Sequence, residues 1–252
     1  MNFDSQIVLV TGASRGIGRA IARQFAEQGA RVAVHYNSNQ AAADETLTSL
    51  PGSGHLIVQA DLADAEAIER MVKTVIDTMG GLHVLVNNAG IYEEHKIAEV
   101  DYDFWQVSWL KTIQTNLLGA ANAAYCAAQH MKQHGGGRII NVSSRGAFRG
   151  EPDAPAYGAS KAAMNAMGQS LARALGPHGI YVTTVAPGWV ETDMATDYLA
   201  GPDGDGIRAQ SPLGRVATPD EVAHTVLFLA SAGAEFLTGG IIDVNGASYL
   251  RS

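Results

Sequence analysis

Long apolar runs and cysteines are almost absent from this sequence. Its 252 residues include one cysteine, Cys126, so no disulfide can form within the chain. That cysteine lies in an alanine-rich stretch typical of a buried helix, and we interpret it as a small apolar packing residue. No apolar run approaches the ~20 residues of a membrane-spanning helix, and residues 1–6 carry no leader pattern. We therefore expect a cytoplasmic protein without a membrane segment.

Basic residues are scarce as well. Lysine and arginine number 17 against 25 aspartates and glutamates, so the net charge is −8. A surface of this sign repels the phosphates of nucleic acids, and it also repels acidic protein partners. We predict no metal site, although His130 and His134 have the HxxxH spacing of a ligand pair, because two histidines alone do not complete the three or four ligands that a site needs. A small molecule is therefore the expected partner.

Short apolar runs alternate with longer segments of helical period along the whole chain. The runs do not alternate polar and apolar residues, which is typical of parallel strands covered on both faces. We predict one α/β domain over residues 1–252, a doubly wound parallel sheet with helices on both faces (a Rossmann fold), and a substrate loop near 190–215. The predicted strands are Ile7–Val10, Val32–Val34, Leu56–Val58, Val84–Val86, Arg138–Val142, Tyr181–Val185 and Ile241–Val244. The predicted helices are Ile17–Gln28, Gln40–Leu50, Ala65–Met79, Trp105–His134, Tyr157–Leu175 and Pro219–Ala230.

A glycine-rich turn, TGASRGIG at Thr11–Gly18, follows the first predicted strand and opens the first helix. In this position Gly12 permits a tight turn, Gly16 lets the backbone approach a pyrophosphate, and Gly18 lets helix and strand pack closely. The free N–H groups at a helix N-terminus favour a phosphate there. The spacing is GxxxGxG rather than GxGxxG, so this motif alone fits an ordinary strand–helix turn equally well.

The end of the second predicted strand bears on the choice of dinucleotide. An enzyme that binds NAD usually has an Asp or Glu there for the ribose hydroxyls, but this chain reads HYNS at 35–38. Arg15 could instead meet a 2′-phosphate, with Asn37 and Ser38 as neutral donors. We therefore expect NADP rather than NAD, although an exposed Arg15 could equally be a solvated surface charge.

Tyr157 and Lys161 lie four residues apart in a predicted helix, so both side chains share one face. The pKa of a free tyrosine is about 10, and a neighbouring ammonium lowers that pKa enough to make the phenol a usable acid or base. Ser144 follows a predicted strand and could hydrogen-bond a substrate oxygen. By itself, a YxxxK pair can also be ordinary decoration of a helix surface.

Together these motifs resemble the short-chain dehydrogenase/reductase family in its common form, from Ile7 to the C-terminus. TGASRGIG resembles the cofactor turn of that family, NNAG at 87–90 its strand-end motif, and NVSS at 141–144 its serine segment. Ser144 stands thirteen residues before Tyr157, as the family pattern requires, and is therefore chosen over Ser143. The resemblance implies a catalytic tetrad of Asn116, Ser144, Tyr157 and Lys161.

The resemblance also implies an NAD(P)-dependent oxidoreductase that moves hydride between nicotinamide and a carbonyl or alcohol. Tyr157 would protonate the carbonyl oxygen, while Lys161 would lower the pKa of Tyr157 and bind the nicotinamide ribose. Ser144 would orient the carbonyl, and Asn116 would fix a water that links the lysine to solvent. The implied cofactor-binding residues are Gly12, Ser14, Arg15, Gly16, Ile17, Gly18, Asn37, Ser38, Asp61, Leu62, Asn88, Ala89, Gly90, Tyr157, Lys161, Pro187, Gly188, Val190 and Thr192.

The expected substrate is a small ketone, sugar or polyol. The alternative is a 3-oxoacyl thioester, because the sequence resembles bacterial 3-oxoacyl-[acyl-carrier-protein] reductases overall. Those enzymes carry basic residues that dock an acidic carrier, and here the corresponding places look like Gly135 and His178. A remote alternative is a dinucleotide sensor without catalysis, but such proteins usually lose the tyrosine or lysine that this chain keeps.

Two features near the expected site have two interpretations each. The segment 91–108 is a few residues longer than the family pattern, and it either shapes the pocket or forms a longer surface loop. Arg145 and Arg149 either grip an anionic or polyhydroxy substrate or pair with Glu151 and Asp153.

Quaternary structure is predicted from small residues. Ala120–Ala128 and Ala162–Leu175 allow close approach between helices, and the resemblance implies that these helices pair between subunits. It also implies a second interface at the C-terminal segment, Thr238–Ser252. We therefore expect a homotetramer.

Overall fold

Seven parallel strands form one sheet in the computed structural model, which describes residues 1–251. The strand order is β3-β2-β1-β4-β5-β6-β7, and every neighbouring pair is parallel. The order reverses between β1 and β4, where the loops after the strands leave a crevice. The strands are β1 (Ile7–Val10), β2 (Arg31–Tyr36), β3 (Leu56–Gln59), β4 (Val84–Asn87), β5 (Gly137–Val142), β6 (Ile180–Pro187) and β7 (Ile241–Val244).

Helices cover both faces of this sheet, which confirms the predicted fold class. On one face α1, α2 and α10 pack over side chains such as Val10 and Val34, and on the other face α3, α5 and α7 pack over Leu9 and Leu85. The helices are α1 (Gly16–Glu27), α2 (Gln40–Ser49), α3 (Ala65–Met79), α4 (Tyr102–Ile113), α5 (Gly119–Gln133), α6 (Gly146–Arg149), α7 (Pro155–Leu175), α8 (Asp193–Ala200), α9 (Gly204–Ala209) and α10 (Pro219–Ala230).

The single helix predicted over Trp105–His134 is wrong in detail. The structure has α4 and α5 joined by a π-helical turn, Gln114–Leu118, and α4 begins at Tyr102 behind an Asp101 cap. A π turn inserts a residue into the helical repeat, and a pattern of apolar residues with a period of 3.6 does not reveal it. Cys126 lies on α5, half-buried against the core as predicted.

Between residues 1 and 251 no helix is both long and apolar enough to cross a membrane. Over the same range, no group of three or more His, Cys, Asp or Glu side chains is placed to hold a metal ion.

Candidate active site

One cleft of about 640 Å³ opens where the central strands end, and it holds most of the predicted site residues. Every predicted cofactor residue except Asp61 lines this cleft. Of the predicted catalytic residues, Ser144, Tyr157 and Lys161 line it, whereas Asn116 lies behind its wall. Asp193, Met194, Ala195 and Tyr198 also line the cleft and lie in the predicted substrate loop, whereas the sequence did not single out the further lining residues Tyr36, Asn39, Thr115, Val142 and Trp189.

The glycine turn has the backbone shape that a phosphate cradle needs. Gly12 and Gly16 have φ angles of 63° and 53°, which L side chains rarely adopt. A Cβ on Gly18 would lie 2.2 Å from the carbonyl oxygen of Gly12. Arg15, the N-cap of α1, offers no capping hydrogen bond, and the first turn of α1 holds no acidic residue. The first N–H groups of the helix therefore face the cleft, and the turn fits a pyrophosphate.

Asn88, directly after the neighbouring strand β4, and Thr11, the first residue of the turn, hold this turn in place. The Asn88 amide donates hydrogen bonds to the carbonyl oxygens of Thr11 and Gly12, at 2.8 and 3.1 Å. The Thr11 hydroxyl accepts from the N–H groups of Asn88 and Ala89, at 2.9 and 3.0 Å. The side chain of Asn88, predicted to bind the cofactor, is thus engaged in shaping the turn.

His35 also supports the glycine turn. The sequence did not indicate this role, since position 35 was noted only because it lacks the Asp or Glu typical of NAD binding. His35 is buried, and its Nδ1 accepts from the N–H of Gly12 at 2.9 Å. Its Nε2 lies 3.0 Å from the Ala60 carbonyl oxygen and donates to it. Burial lowers the pKa of His35, so the neutral ring keeps Nδ1 free to accept. No local sequence signal marks this contact, because Gly12 is 23 residues away.

The residues expected at the adenosine end of the cleft divide into two groups. Asn37, Ser38 and Leu62 line the cleft. Asp61 is exposed instead, and its carboxylate accepts from the N–H of Ala63 at 2.9 Å. The side chain of Asp61 therefore stabilises its own turn. Arg15 is 68% exposed and lies 3.9 Å from Asp193 at the rim of the cleft.

Burial dominates the electrostatics of Tyr157 and Lys161. It raises the pKa of Tyr157 to about 12, partly offset by a hydrogen bond with Ser144. Burial also lowers the pKa of Lys161 to about 8. The Lys161 ammonium donates to the Val142 carbonyl at 2.8 Å and lies 5.7 Å from the centre of the Tyr157 ring. The expectation that Lys161 brings the pKa of Tyr157 below its ordinary value is therefore wrong for this structure, because burial prevails.

The two neighbouring serines have different partners. Ser143 is buried and donates to the Lys161 carbonyl at 3.1 Å, so it ties β5 to α7. Ser144 accepts from the N–H of Gly146 at 3.0 Å and faces Tyr157. The geometry agrees with the choice of Ser144 over Ser143.

Asn116 lies in the π-helical turn and is fully buried. Its amide oxygen accepts from the N–H of Ile91 at 2.8 Å, and its amide nitrogen donates to the Ile91 carbonyl at 3.0 Å. A Cβ on Gly90 would lie 3.4 Å from both Asn116 Oδ1 and Lys161 Nζ. Asn116 therefore fixes the chain after β4 directly beside the lysine.

Known proteins match this chain over nearly its whole length. The family model described as enoyl-(acyl carrier protein) reductase matches residues 12–247. The chain is 40% identical to the 3-oxoacyl-[acyl-carrier-protein] reductase of Staphylococcus aureus (strain Mu50), covering 96% of this chain and 97% of that protein. It is 39% identical to an L-rhamnose 1-dehydrogenase (NAD(P)(+)) of Azotobacter vinelandii, covering 97% and 96%. The chain belongs to the short-chain dehydrogenase/reductase family.

A solved structure supports the family at the level of the fold. A short-chain dehydrogenase from Burkholderia cenocepacia in complex with NADP has a TM-score of 0.88 and 34% identity, covering 98% of this chain and 99% of that one. Because family members similar to this chain are named reductases and dehydrogenases, the chain is an NAD(P)-dependent oxidoreductase.

In this short-chain dehydrogenase/reductase, the segment 91–108 is anchored to the site, so it is not a loose surface loop. His95 is fully buried, and its backbone N–H donates to the Asp153 carbonyl at 2.8 Å. The His95 ring accepts from the N–H of Ala156 at 3.1 Å and donates to the Glu93 carbonyl at 2.8 Å. These bonds fix the segment to the start of α7, one residue before Tyr157.

An aromatic wall closes the end of the cleft that faces Tyr157. The Tyr92 ring lies 5.1 Å from the Tyr157 ring and 6.4 Å from the Tyr198 ring, and Trp189 lies 5.5 Å from Tyr198. The Tyr198 hydroxyl donates to Glu94 at 2.6 Å, which joins α8 to the segment 91–108. No periodic pattern in the sequence predicts this wall, since Tyr92 follows β4, Trp189 follows β6 and Tyr198 lies on α8.

Arg145 does not form an ion pair with Glu151 or Asp153, which was one of the two interpretations of this residue. Its buried guanidinium donates to the Ser248 hydroxyl at 2.6 Å and to the Gln210 side-chain oxygen at 2.5 Å. It thereby ties the residue after Ser144 to both the 190–215 loop and the C-terminal segment. Asp153 lies 3.9 Å from Lys96 instead.

Proposed function

We propose that this enzyme is an NADP(H)-preferring oxidoreductase acting on the carbonyl or secondary alcohol of a small ketone, sugar or polyol. Residues 1–252 would form one NAD(P)-binding domain, with the substrate loop near 190–215. The observation that carries the proposal is the meeting of Ser144, Tyr157 and Lys161 at one end of a cleft whose other end is the glycine turn.

The proposed mechanism assigns one task to each residue at the reacting end. The bound dinucleotide supplies or accepts the hydride. The Ser144 hydroxyl orients the substrate carbonyl, and the Tyr157 hydroxyl gives its proton to the carbonyl oxygen during reduction. The raised pKa of Tyr157 keeps that proton in place at neutral pH.

The remaining residues of the site position the reactants. Lys161 is proposed to hold the nicotinamide ribose through its ammonium, which the lowered pKa of about 8 leaves charged at neutral pH. The N–H groups at the start of α1 are proposed to hold the pyrophosphate. Asn116 positions the chain after β4 and is proposed to fix a water beside Lys161 for resupply of protons.

Arg15 is expected to set the preference for NADPH, because it lies at the rim of the cleft and β2 ends without a carboxylate. Fluorescence titration should give at least about tenfold tighter binding of NADPH than of NADH, equivalent to about 1.4 kcal/mol. Arg15→Ala should remove most of that difference without weakening NADH. Arg23→Ala is the matched control, because Arg23 lies on α1 and pairs with Glu27 and Asp220. Equal affinities in the wild type would contradict the preference.

A second candidate function is reduction of a 3-oxoacyl thioester, favoured by relatives such as the Staphylococcus reductase. Against carrier docking, Gly135 and His178 are exposed but supply no lysine or arginine. Initial rates with NADPH on acetoacetyl-CoA and on small hydroxylated ketones distinguish the two candidates. A higher kcat/KM on the thioester would replace the first proposal with the second.

We also propose a homotetramer, supported by apolar side chains left on the surface. Leu118 in the π-helical turn and Tyr125 on α5 are exposed. Four further exposed apolar side chains lie on α4: Tyr102, Phe104, Val107 and Leu110. α7 exposes small residues such as Ala162 and Ala166. Light scattering during size exclusion should give four times the monomer mass, and a monomer peak would contradict the proposal.

A further inference from the structure

Glu151 brings a negative charge to the substrate end of the cleft that the proposed mechanism does not use. The side chain is half-buried and lines the cleft. Within residues 1–251 its carboxylate accepts no hydrogen bond and forms no ion pair. Burial raises the pKa of Glu151 above its ordinary value, and the charges of Arg149, Arg145 and Asp153 also act on it. A carboxylate that is partly desolvated and lacks a donor is unfavourable until something donates to it.

Gly146 places this carboxylate next to the reacting groups. A Cβ on Gly146 would lie 2.2 Å from Glu151 Oε1, so the carboxylate occupies the space that a side chain at 146 would fill. The N–H of the same Gly146 donates to the Ser144 hydroxyl at 3.0 Å. The negative charge of Glu151 also acts on both Tyr157 and Tyr92, since it raises the pKa of each. Glu151 therefore lies beside the place where Ser144 and Tyr157 would hold a carbonyl oxygen.

The charges around Glu151 restrict what can donate to it. Arg149 also lines the cleft and raises the local positive potential together with Arg145. A cationic amine would meet these two arginines, and an anionic group would meet Glu151 itself. A neutral hydroxyl suits both neighbours, because it can donate to the carboxylate and accept from a guanidinium. The rings of Tyr92 and Trp189 offer an apolar wall for the C–H groups of such a molecule.

We propose that Glu151 accepts a hydrogen bond from a substrate hydroxyl close to the reacting carbon, and that this contact makes the enzyme selective for hydroxylated ketones and vicinal diols. The inference rests on the proposed function, since it concerns the same cleft and the same reaction. A hydroxyl that satisfies a desolvated group of the site is a strong basis for selection, because an analogue without it leaves that group unpaired.

The test compares ketones that differ by one hydroxyl, each reduced with NADPH. The pairs are hydroxyacetone against acetone and 1-hydroxy-2-butanone against 2-butanone. The wild type should favour the hydroxylated member by at least about tenfold in kcat/KM. Glu151→Ala should lower that preference at least about tenfold, and the rates on acetone and 2-butanone should stay within about threefold.

Two further variants separate the contact from a general loss of structure. Asp153→Asn removes a half-exposed charge two residues away and should leave the preference unchanged. Gly146→Ala should displace the Glu151 carboxylate without removing its charge and should lower the preference as Glu151→Ala does. With NADP+ saturating in both samples, adding propane-1,2-diol should raise the Tm of the wild type further but not that of Glu151→Ala.

The possible failures are distinguishable. If no ketone in the panel is turned over, the proposed function is wrong and this inference fails with it. If the ketones are turned over but the wild type does not favour the hydroxylated members, the role of Glu151 is wrong and the proposed function stands. The same holds if Glu151→Ala lowers the rates on both members of a pair equally.

Discussion

Tyr157→Phe is expected to lower kcat for carbonyl reduction by about 10²- to 10⁴-fold, the usual contribution of a general acid. The change removes one oxygen from a side chain that contacts Tyr92 and Ser144 and leaves the ring in place. Affinity for NADPH and the Tm should therefore change little. Steady-state kinetics with a saturating ketone measure the loss, and fluorescence titration checks the binding.

The pH dependence offers a second measurement of the same residue. Reduction uses the protonated phenol, and the pKa of Tyr157 is raised to about 12, so this proton is not lost between about pH 6 and pH 8. Oxidation of the alcohol uses the ionised phenol, whose fraction rises about tenfold per pH unit below that pKa. We therefore expect a flat profile for reduction and a rising profile for oxidation over this range. Above about pH 8 the Lys161 ammonium is lost, and reduction should then decline.

The opposite outcome for Tyr157 is equally informative. A variant that kept more than about a tenth of the wild-type kcat would remove Tyr157 from the role of acid. Tight NADPH binding by the wild type, with no turnover of any carbonyl and no effect of Tyr157→Phe, would instead favour the remote alternative of a dinucleotide sensor.

Gly18→Ala is expected to weaken NADPH binding at least about tenfold, which corresponds to about 1.4 kcal/mol. The added methyl carbon would lie 2.2 Å from the Gly12 carbonyl oxygen and 2.6 Å from the Asn88 amide nitrogen. Backbone rather than a flexible side chain must therefore move, and the turn that shapes the phosphate cradle must open. Overpacking of this kind costs about 1–3 kcal/mol, so the Tm should also fall by several degrees.

Gly176→Ala is the matched control for this prediction. Gly176 ends α7, and a Cβ there meets no atom within 4 Å among the described residues. This variant should bind NADPH as the wild type does and should keep the wild-type Tm. If Gly18→Ala bound NADPH with wild-type affinity, the turn would not be the phosphate site.

Some parts of the site could be predicted because they are encoded locally. The glycine turn needs Gly12, Gly16 and Gly18 within one short segment, and these residues lie where the motif places them. Tyr157 and Lys161 are four residues apart on α7, and helical geometry alone puts them on one face. The strands were equally predictable, since a strand buried on both faces is an apolar run in any sequence.

Other parts could be interpreted only as alternatives until the chain was folded. The sequence places Arg145 near Glu151, and a pair of opposite charges six residues apart suggests an ion pair. In the structure the guanidinium instead meets Ser248, which is 103 residues away. The link between Tyr198 and Glu94 spans 104 residues and has no counterpart in any local pattern. The helix break at Asn116 was missed for a related reason, because one extra residue in a π turn leaves the apolar repeat almost unchanged.

The sequence by itself determined the doubly wound sheet through its hydrophobic period, and it indicated the dinucleotide turn and the Tyr157–Lys161 pair only when these motifs were taken together as a family resemblance. Only the tertiary structure decided that the segment 91–108 is anchored by His95 and that Arg145 ties the substrate loop to the C-terminal segment. It also decided that Glu151 faces the cleft with no hydrogen-bond donor to its carboxylate among residues 1–251. These features depend on which loops meet at the ends of the strands. That meeting is set by the packing of distant elements around the core, and residues adjacent in sequence carry no record of it.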